Sequence, residues 1–137
     1  MVREIVHDPI LLGIPSAETT EADSSTAADL ADTLVFHKKG CVGMAANMIG
    51  VRKNIIAFFE RDKVTVMFDP VIIQKSRPYE TKEGCLSLPG ELRPVTRYDS
   101  IKLRYTDKYR KTHEKRYTGV TAQIIQHEID HCKGILI

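Results

Sequence analysis

The spacing of apolar positions along the chain changes several times, and each change marks an element. Residues 16–26 (SAETTEADSST) are small and polar without a period, and read as a loop into a helix capped by Asp23, Ser24 or Ser25. Ala27, Leu30, Ala31, Leu34 and Val35 then recur at three- and four-residue spacing, the stripe of an amphipathic helix of about four turns. Lys38 and Lys39 suit the negative end of its dipole, and Gly40 offers a stop. From Val51 the pattern turns to β: Asn54–Phe59 and Val64–Phe68 flank the turn Glu60–Lys63 as a hairpin, and Val71–Ile73 follows Pro70 as a further strand. Residues 78–94, rich in proline and glycine, read as a loop. Ser100–Tyr105 and His113–Tyr117 bracket the polar turn 106–112 as a second hairpin. The last stretch, Val120–Cys132, begins after Thr118 and Gly119 and ends before Gly134. Its apolar residues Val120, Ala122, Ile124, Ile125, Ile129 and Cys132 go nearly all round, which predicts a helix buried between sheets.

Composition narrows the class without naming a partner. The 137 residues are 42% hydrophobic and 28% charged, which excludes a disordered chain or a disulfide-dense mini-scaffold and suits one domain spanning 1–137. Twenty Lys and Arg against eighteen Asp and Glu leave a net charge of +2, too little to argue for nucleic-acid binding. The basic, Tyr-rich stretch 105–117 (YTDKYRKTHEKRY) is interrupted by Asp107 and Glu114 and reads as a solvated hairpin tip. The apolar run Ile10–Ile14 is shorter than a secretory core or a membrane span. Three scattered cysteines, Cys41, Cys85 and Cys132, make a disulfide framework unexpected. A cytoplasmic protein with no membrane partner is the expectation.

The strongest chemical signal is His127-Glu128-Ile129-Asp130-His131. On a helix, H-E-x-x-H sets two imidazoles on one face about a turn apart, where both can grip one metal ion. Glu128 stands between them, placed to take a proton from water at that ion. Two satisfied core histidines are the plain alternative, but burying His, Glu, Asp and His together without a task is costly. A third ligand is needed. The downstream pattern of some zinc peptidases, G-x-x-H, matches at Gly134 but meets Ile137 in place of histidine. Upstream, Cys85 stands out within Glu83-Gly84-Cys85-Leu86-Ser87, a segment able to present a thiolate.

Three separated segments together resemble the peptide deformylases. The family's E-G-C-L-S is intact at Glu83–Ser87 and its Q-H-E-x-D-H at Gln126–His131, and its G-φ-G-φ-A-A-x-Q, with φ apolar, corresponds to Cys41–Met48. Val95-Thr96-Arg97 is similar to a V-x-R that follows the second motif. The resemblance implies an α+β fold in which antiparallel β-sheets surround a central buried helix carrying HEIDH. It implies a metal-dependent hydrolase that removes the formyl group from N-formylmethionyl nascent peptides. Cys85, His127 and His131 would be the ligands of one divalent ion, Fe(II) or Zn(II), with Ni(II) or Co(II) able to substitute. Glu128 would be the catalytic base and acid, and the Leu86 backbone N–H an oxyanion donor. Glu83 and Arg97 would form a supporting ion pair. Gly43, Met44, Met48, Val120 and Ile124 are expected to bind the substrate, Ile124 and Val120 lying one and two turns before His127 on its side of the helix.

Two departures from the family pattern carry expectations of their own. The Gln that ends the first motif is Met48 here, whose thioether cannot donate a hydrogen bond, and the first Gly is Cys41. A missing oxyanion donor predicts reduced turnover, or at the limit a deformylase-like protein that binds metal and peptide without useful turnover, unless Asn47 or Gln123 supplies the donor. The chain stops at Ile137, so ribosome docking by a further C-terminal helix, present in many bacterial relatives, is not expected.

Overall fold

The computed structural model describes the backbone of residues 1–137 and every side chain but that of residue 91. A short helix, α1 (Pro9–Leu12), opens the chain with Pro9 in its first turn and Asp8 accepting from the Ile10 N–H. The next helix is capped one turn earlier than its composition suggests. Thr20 and Asp23 form a reciprocal capping box on a 3-10 turn, Glu21–Asp23, which runs directly into α2 (Ser24–Phe36). The five strands are β1 (Gly43–Ala45), β2 (Ile55–Glu60), β3 (Lys63–Cys85), β4 (Leu88–Thr106) and β5 (Thr112–Thr118), and α3 (Gly119–Cys132) follows.

The strands form one antiparallel sheet in the order β1-β2-β3-β4-β5, so the two expected hairpins are joined into a single ladder by β3. The β1–β2 part of the sheet is sandwiched between helices. Ile56 and Phe58 of β2 pack with Ile125 and Ile129 of α3, while Ile55 and Ala57 pack with Leu30 and Leu34 of α2. With both faces covered, β2 reads as the unbroken apolar run Ile-Ile-Ala-Phe-Phe, not as an alternating one. Enclosing Phe58 contributes about 2–3 kcal/mol.

The segment expected as a loop over 78–94 is instead most of a long two-stranded ribbon, and Val71–Ile73 is not a separate strand but part of β3. β3 pairs with β2 only as far as Phe68, and β4 pairs with β5 only from Ser100 onward. Between those limits each strand has one free edge, where a proline such as Pro78 or Pro94 can stand without breaking a ladder on both sides. Register shifts after Phe68 and Ile72, with Asp69 at φ 50°, mark the place where β3 leaves β2 for this ribbon. The Asp69 carboxylate is held there by the backbone and hydroxyl of Thr19.

α3 lies against β1, β2, β4 and β5, and its residues Ala122, Ile125, Gln126, His127, Glu128, Ile129, His131 and Cys132 are buried. Val120 does not follow them. It is 72% exposed, because the first turn of α3 emerges at the surface. Among the described residues no helix is long and apolar enough to cross a membrane.

Candidate active site

α3 brings His127 and His131 one turn apart, and the end of β3 brings Cys85 to them. The ligating atoms of these three side chains all lie within 4.8 Å of one another. The two Nε2 atoms face each other at 3.0 Å. Glu83, two residues before Cys85 on β3, meets His127 Nδ1 at 2.8 Å. An ionised carboxylate only accepts, so Nδ1 carries a proton and the other ring nitrogen, Nε2, is turned toward His131 and Cys85. Two imidazole nitrogens and a thiol converging in a buried site, with one imidazole oriented by a carboxylate, form a borderline-soft donor set that fits a divalent transition metal.

Glu83 is the hub of this arrangement. Arg97 of β4 donates to both of its oxygens, from Nε at 3.1 and 3.0 Å and from Nη2 at 2.6 Å, and Gln123 Nε2 of α3 donates at 2.8 Å. Arg97 also reaches Asp130 of α3 at 2.6 Å, so one guanidinium ties the C-terminal end of the motif helix to the ribbon and to Glu83. Burial alone would push the Glu83 carboxyl up, but the bonds from His127, Arg97 and Gln123 hold it at about 2. Burial likewise disfavours the charged form of His127, yet its bonds to Cys85 and Glu83 push it to about 10. His131 goes the other way, to about 3, through burial and then the charge on His127.

Glu128 is buried beside the imidazoles, and its Oε1 has no hydrogen-bond partner among the described residues. Burial, opposed by His127, lifts its carboxyl to about 7, where it can both take and give a proton near neutrality. Gly43 of β1 explains the close fit on its other side. A Cβ at position 43 would sit 2.8 Å from Ile124 Cγ2 and 3.0 Å from Glu128 Oε2, so only glycine lets β1 approach α3 here.

These groups open into a cavity of about 330 Å³. Its wall includes Gly43, Met48, Cys85, Leu86, Ile124, His127 and Glu128, with Val120 at the exposed rim and Cys41, Val42, Glu83 and Gln123 beside them. Met44 is the exception among the expected substrate contacts. It points to the other face of β1 and is enclosed in the core with Leu30 and Leu34, because neighbours on a strand alternate faces. Met48 presents its thioether to the Ala45 N–H at 3.5 Å. Both amides offered as a replacement donor already carry a hydrogen bond. Asn47 Nδ2 holds the backbone oxygen of His131 at 2.8 Å, and Gln123 Nε2 is spent on Glu83.

Several supporting residues lie beyond what the sequence marks. Gln126 bonds the Tyr98 backbone twice, its Oε1 accepting from the N–H at 2.9 Å and its Nε2 donating to the carbonyl at 2.8 Å, so α3 is clamped to β4. Gln126 and Asp130 stand inside the helix motif, which is their only signal. His7 meets the Ser87 carbonyl at 2.9 Å, bracing the two-residue turn Leu86–Ser87 from the far N-terminal segment. Nothing local marks it.

Comparison with known proteins gives consistent findings. A family model described as polypeptide deformylase matches residues 2–137. A peptide deformylase from Clostridium beijerinckii is 46% identical over 137 residues, covering all of both chains. One from Dictyoglomus thermophilum is 37% identical, covering all of this chain and 91% of its own. The crystal structure of a peptide deformylase from Legionella pneumophila superposes with a TM-score of 0.88 at 29% identity, over 99% of this chain and 83% of that one. The crystal structure of the Thermus thermophilus peptide deformylase gives 0.88 at 30%, with the same coverage.

Proposed function

The chain belongs to the polypeptide deformylase family, and on that premise we propose how its own residues carry out metal-dependent removal of the formyl group from N-formylmethionyl peptides. Cys85, His127 and His131 would hold one divalent ion, Fe(II) or Zn(II), with Ni(II) or Co(II) as substitutes. Bound there, the ion supplies Lewis acidity toward the formyl oxygen and toward water. Glu128 takes a proton from the attacking water and returns it to the peptide nitrogen as the C–N bond breaks, so that formate and a free amine leave. The Leu86 N–H donates to the oxygen on which negative charge develops. Glu83 and Arg97 keep His127 in its ligating tautomer and orientation. Gly43, Ile124, Val120 and Met48 border the space for the substrate, with the methionine side chain along the apolar wall.

The observation that carries this reading is the convergence of Cys85, His127 and His131 next to an enclosed, unpaired Glu128 at the head of a cavity. The free state of Cys41, Cys85 and Cys132 agrees with a reducing, cytoplasmic setting, and new polypeptide chains as the partner. The test is release of formate from formyl-Met-Ala-Ser by protein loaded anaerobically with Fe(II), Ni(II) or Zn(II). Formate and free amine in equal amounts are expected. A second reading, a deformylase-like binder, is favoured by one observation: Met48 puts a thioether at the cavity wall where a donor is wanted. Tight binding of the peptide with no formate from any metal form would select it.

A further inference from the structure

Gln123 is the polar residue of the cavity wall whose task in the steps above is smallest, and its amide is fixed in one sense. Its Nε2 donates to Glu83 Oε2 at 2.8 Å. Glu83 cannot turn away, because Arg97 and His127 occupy its remaining acceptor positions. An ionised carboxylate accepts only, so the NH₂ end of the amide must face Glu83 and Oε1 must face the opposite way. That oxygen has no partner among the described residues, and it is not among the enclosed unpaired atoms. Gln123 lines the cavity one turn before His127, next to Ile124. The result is a hydrogen-bond acceptor held in a set direction on a wall that is otherwise largely apolar.

We infer that Gln123 is a specificity-determining residue, whose Oε1 accepts from an N–H carried at the end of the substrate's first side chain. The substrate class then extends to N-formyl peptides beginning with a residue of methionine's length that ends in a donor, glutamine above all. An unbranched apolar side chain lying against this acceptor offers it no partner, whereas a side-chain amide satisfies it. A site that holds a polar group of its own discriminates by the penalty of leaving that group unpaired. The inference rests on the deformylase reading and refines it.

The test is the ratio of kcat/KM for formyl-Gln-Ala-Ser to that for formyl-Met-Ala-Ser, because damage to the catalytic machinery cancels in a ratio. Gln123→Met keeps length and removes the acceptor, and Gln123→Leu removes it with a different shape. In both variants the ratio is expected to fall by ~10-fold or more, mainly through the formylglutaminyl peptide. Equal losses on both peptides would reduce Gln123 to a support for Glu83 and overturn the inference, as would a ratio that rises. No formate from either peptide with the unmodified protein would instead overturn the deformylase reading and take the inference with it. Circular dichroism of each variant confirms that a folded protein is being compared.

Discussion

Glu128 and Met48 are single residues whose contributions can be separated from the rest of the site. Glu128 is not one of the three converging side chains, and its enclosed, unpaired Oε1 is free to handle protons. Glu128→Ala is therefore expected to retain one metal ion per chain while formate release falls by ~10²–10⁴-fold, the range for loss of a positioned acid–base group. Metal content by elemental analysis beside the rate decides it, and an unchanged rate removes Glu128 from its role. Met48, 1% exposed, is packed as a core residue at the point where the family pattern carries an amide. Met48→Gln should raise kcat by ~10-fold or more with little change in KM, since the added donor acts mostly in the transition state. Cys41, whose thiol donates to the Gly43 carbonyl at 2.9 Å, touches the same loop, so the gain is expected to be larger when Cys41→Gly accompanies it. Full activity in the unmodified protein would show that a second donor is not needed here.

At the scale of elements, the position of α3 against β4 sets whether the ligands meet at all. Hydrophobic packing of Ile125 and Ile129 presses the helix onto the sheet but permits it to slide. Gln126 removes that freedom by bonding both the N–H and the C=O of Tyr98 as a neighbouring strand would. Replacing it by leucine leaves two backbone groups without partners at a cost of ~1–3 kcal/mol each. Gln126→Leu is expected to lower the urea midpoint with an unchanged m value, and to weaken metal retention although no ligand has been altered. Retention equal to that of the unmodified protein would show that packing alone registers the helix.

For the molecule as a whole, the candidate metal site joins parts that no strand ladder joins. Glu83 and His127 are 44 positions apart, one at the end of the long ribbon and the other in the buried helix. An ion held by Cys85, His127 and His131 would tie the ribbon to α3 in the folded state only, and a ligand at a thousandfold excess over its Kd stabilises by about 4 kcal/mol. Removal of the metal by a chelator should thus lower the Tm by roughly 10 °C or more for a chain of this size. Cys85→Ser is expected to shrink that difference. A Tm indifferent to the chelator would mean that the site contributes nothing to holding the two parts together.

What the sequence determined by itself is what depends on near neighbours. His127 and His131 share a face because a helix repeats every 3.6 residues, and α2, α3 and the two hairpins announce themselves through period and turn residues. The three motifs also carried the family, since they are read as strings. The long ribbon was hidden because proline and glycine over 78–94 signal a loop wherever two ladders are assumed, and only the pairing of β3 with β4 shows that each strand there has a free edge. Met44 was misplaced because the face of a three-residue strand is set by what packs on it, α2 on one side and α3 on the other. The bonds of Glu83 to Arg97, Gln123 and His127, the Gln126 clamp and the brace from His7 belong to the tertiary structure alone. Each joins groups separated by between 14 and 80 positions, and no periodicity reaches that far. Folding decides such contacts through the requirement that polar groups carried into the core find partners there.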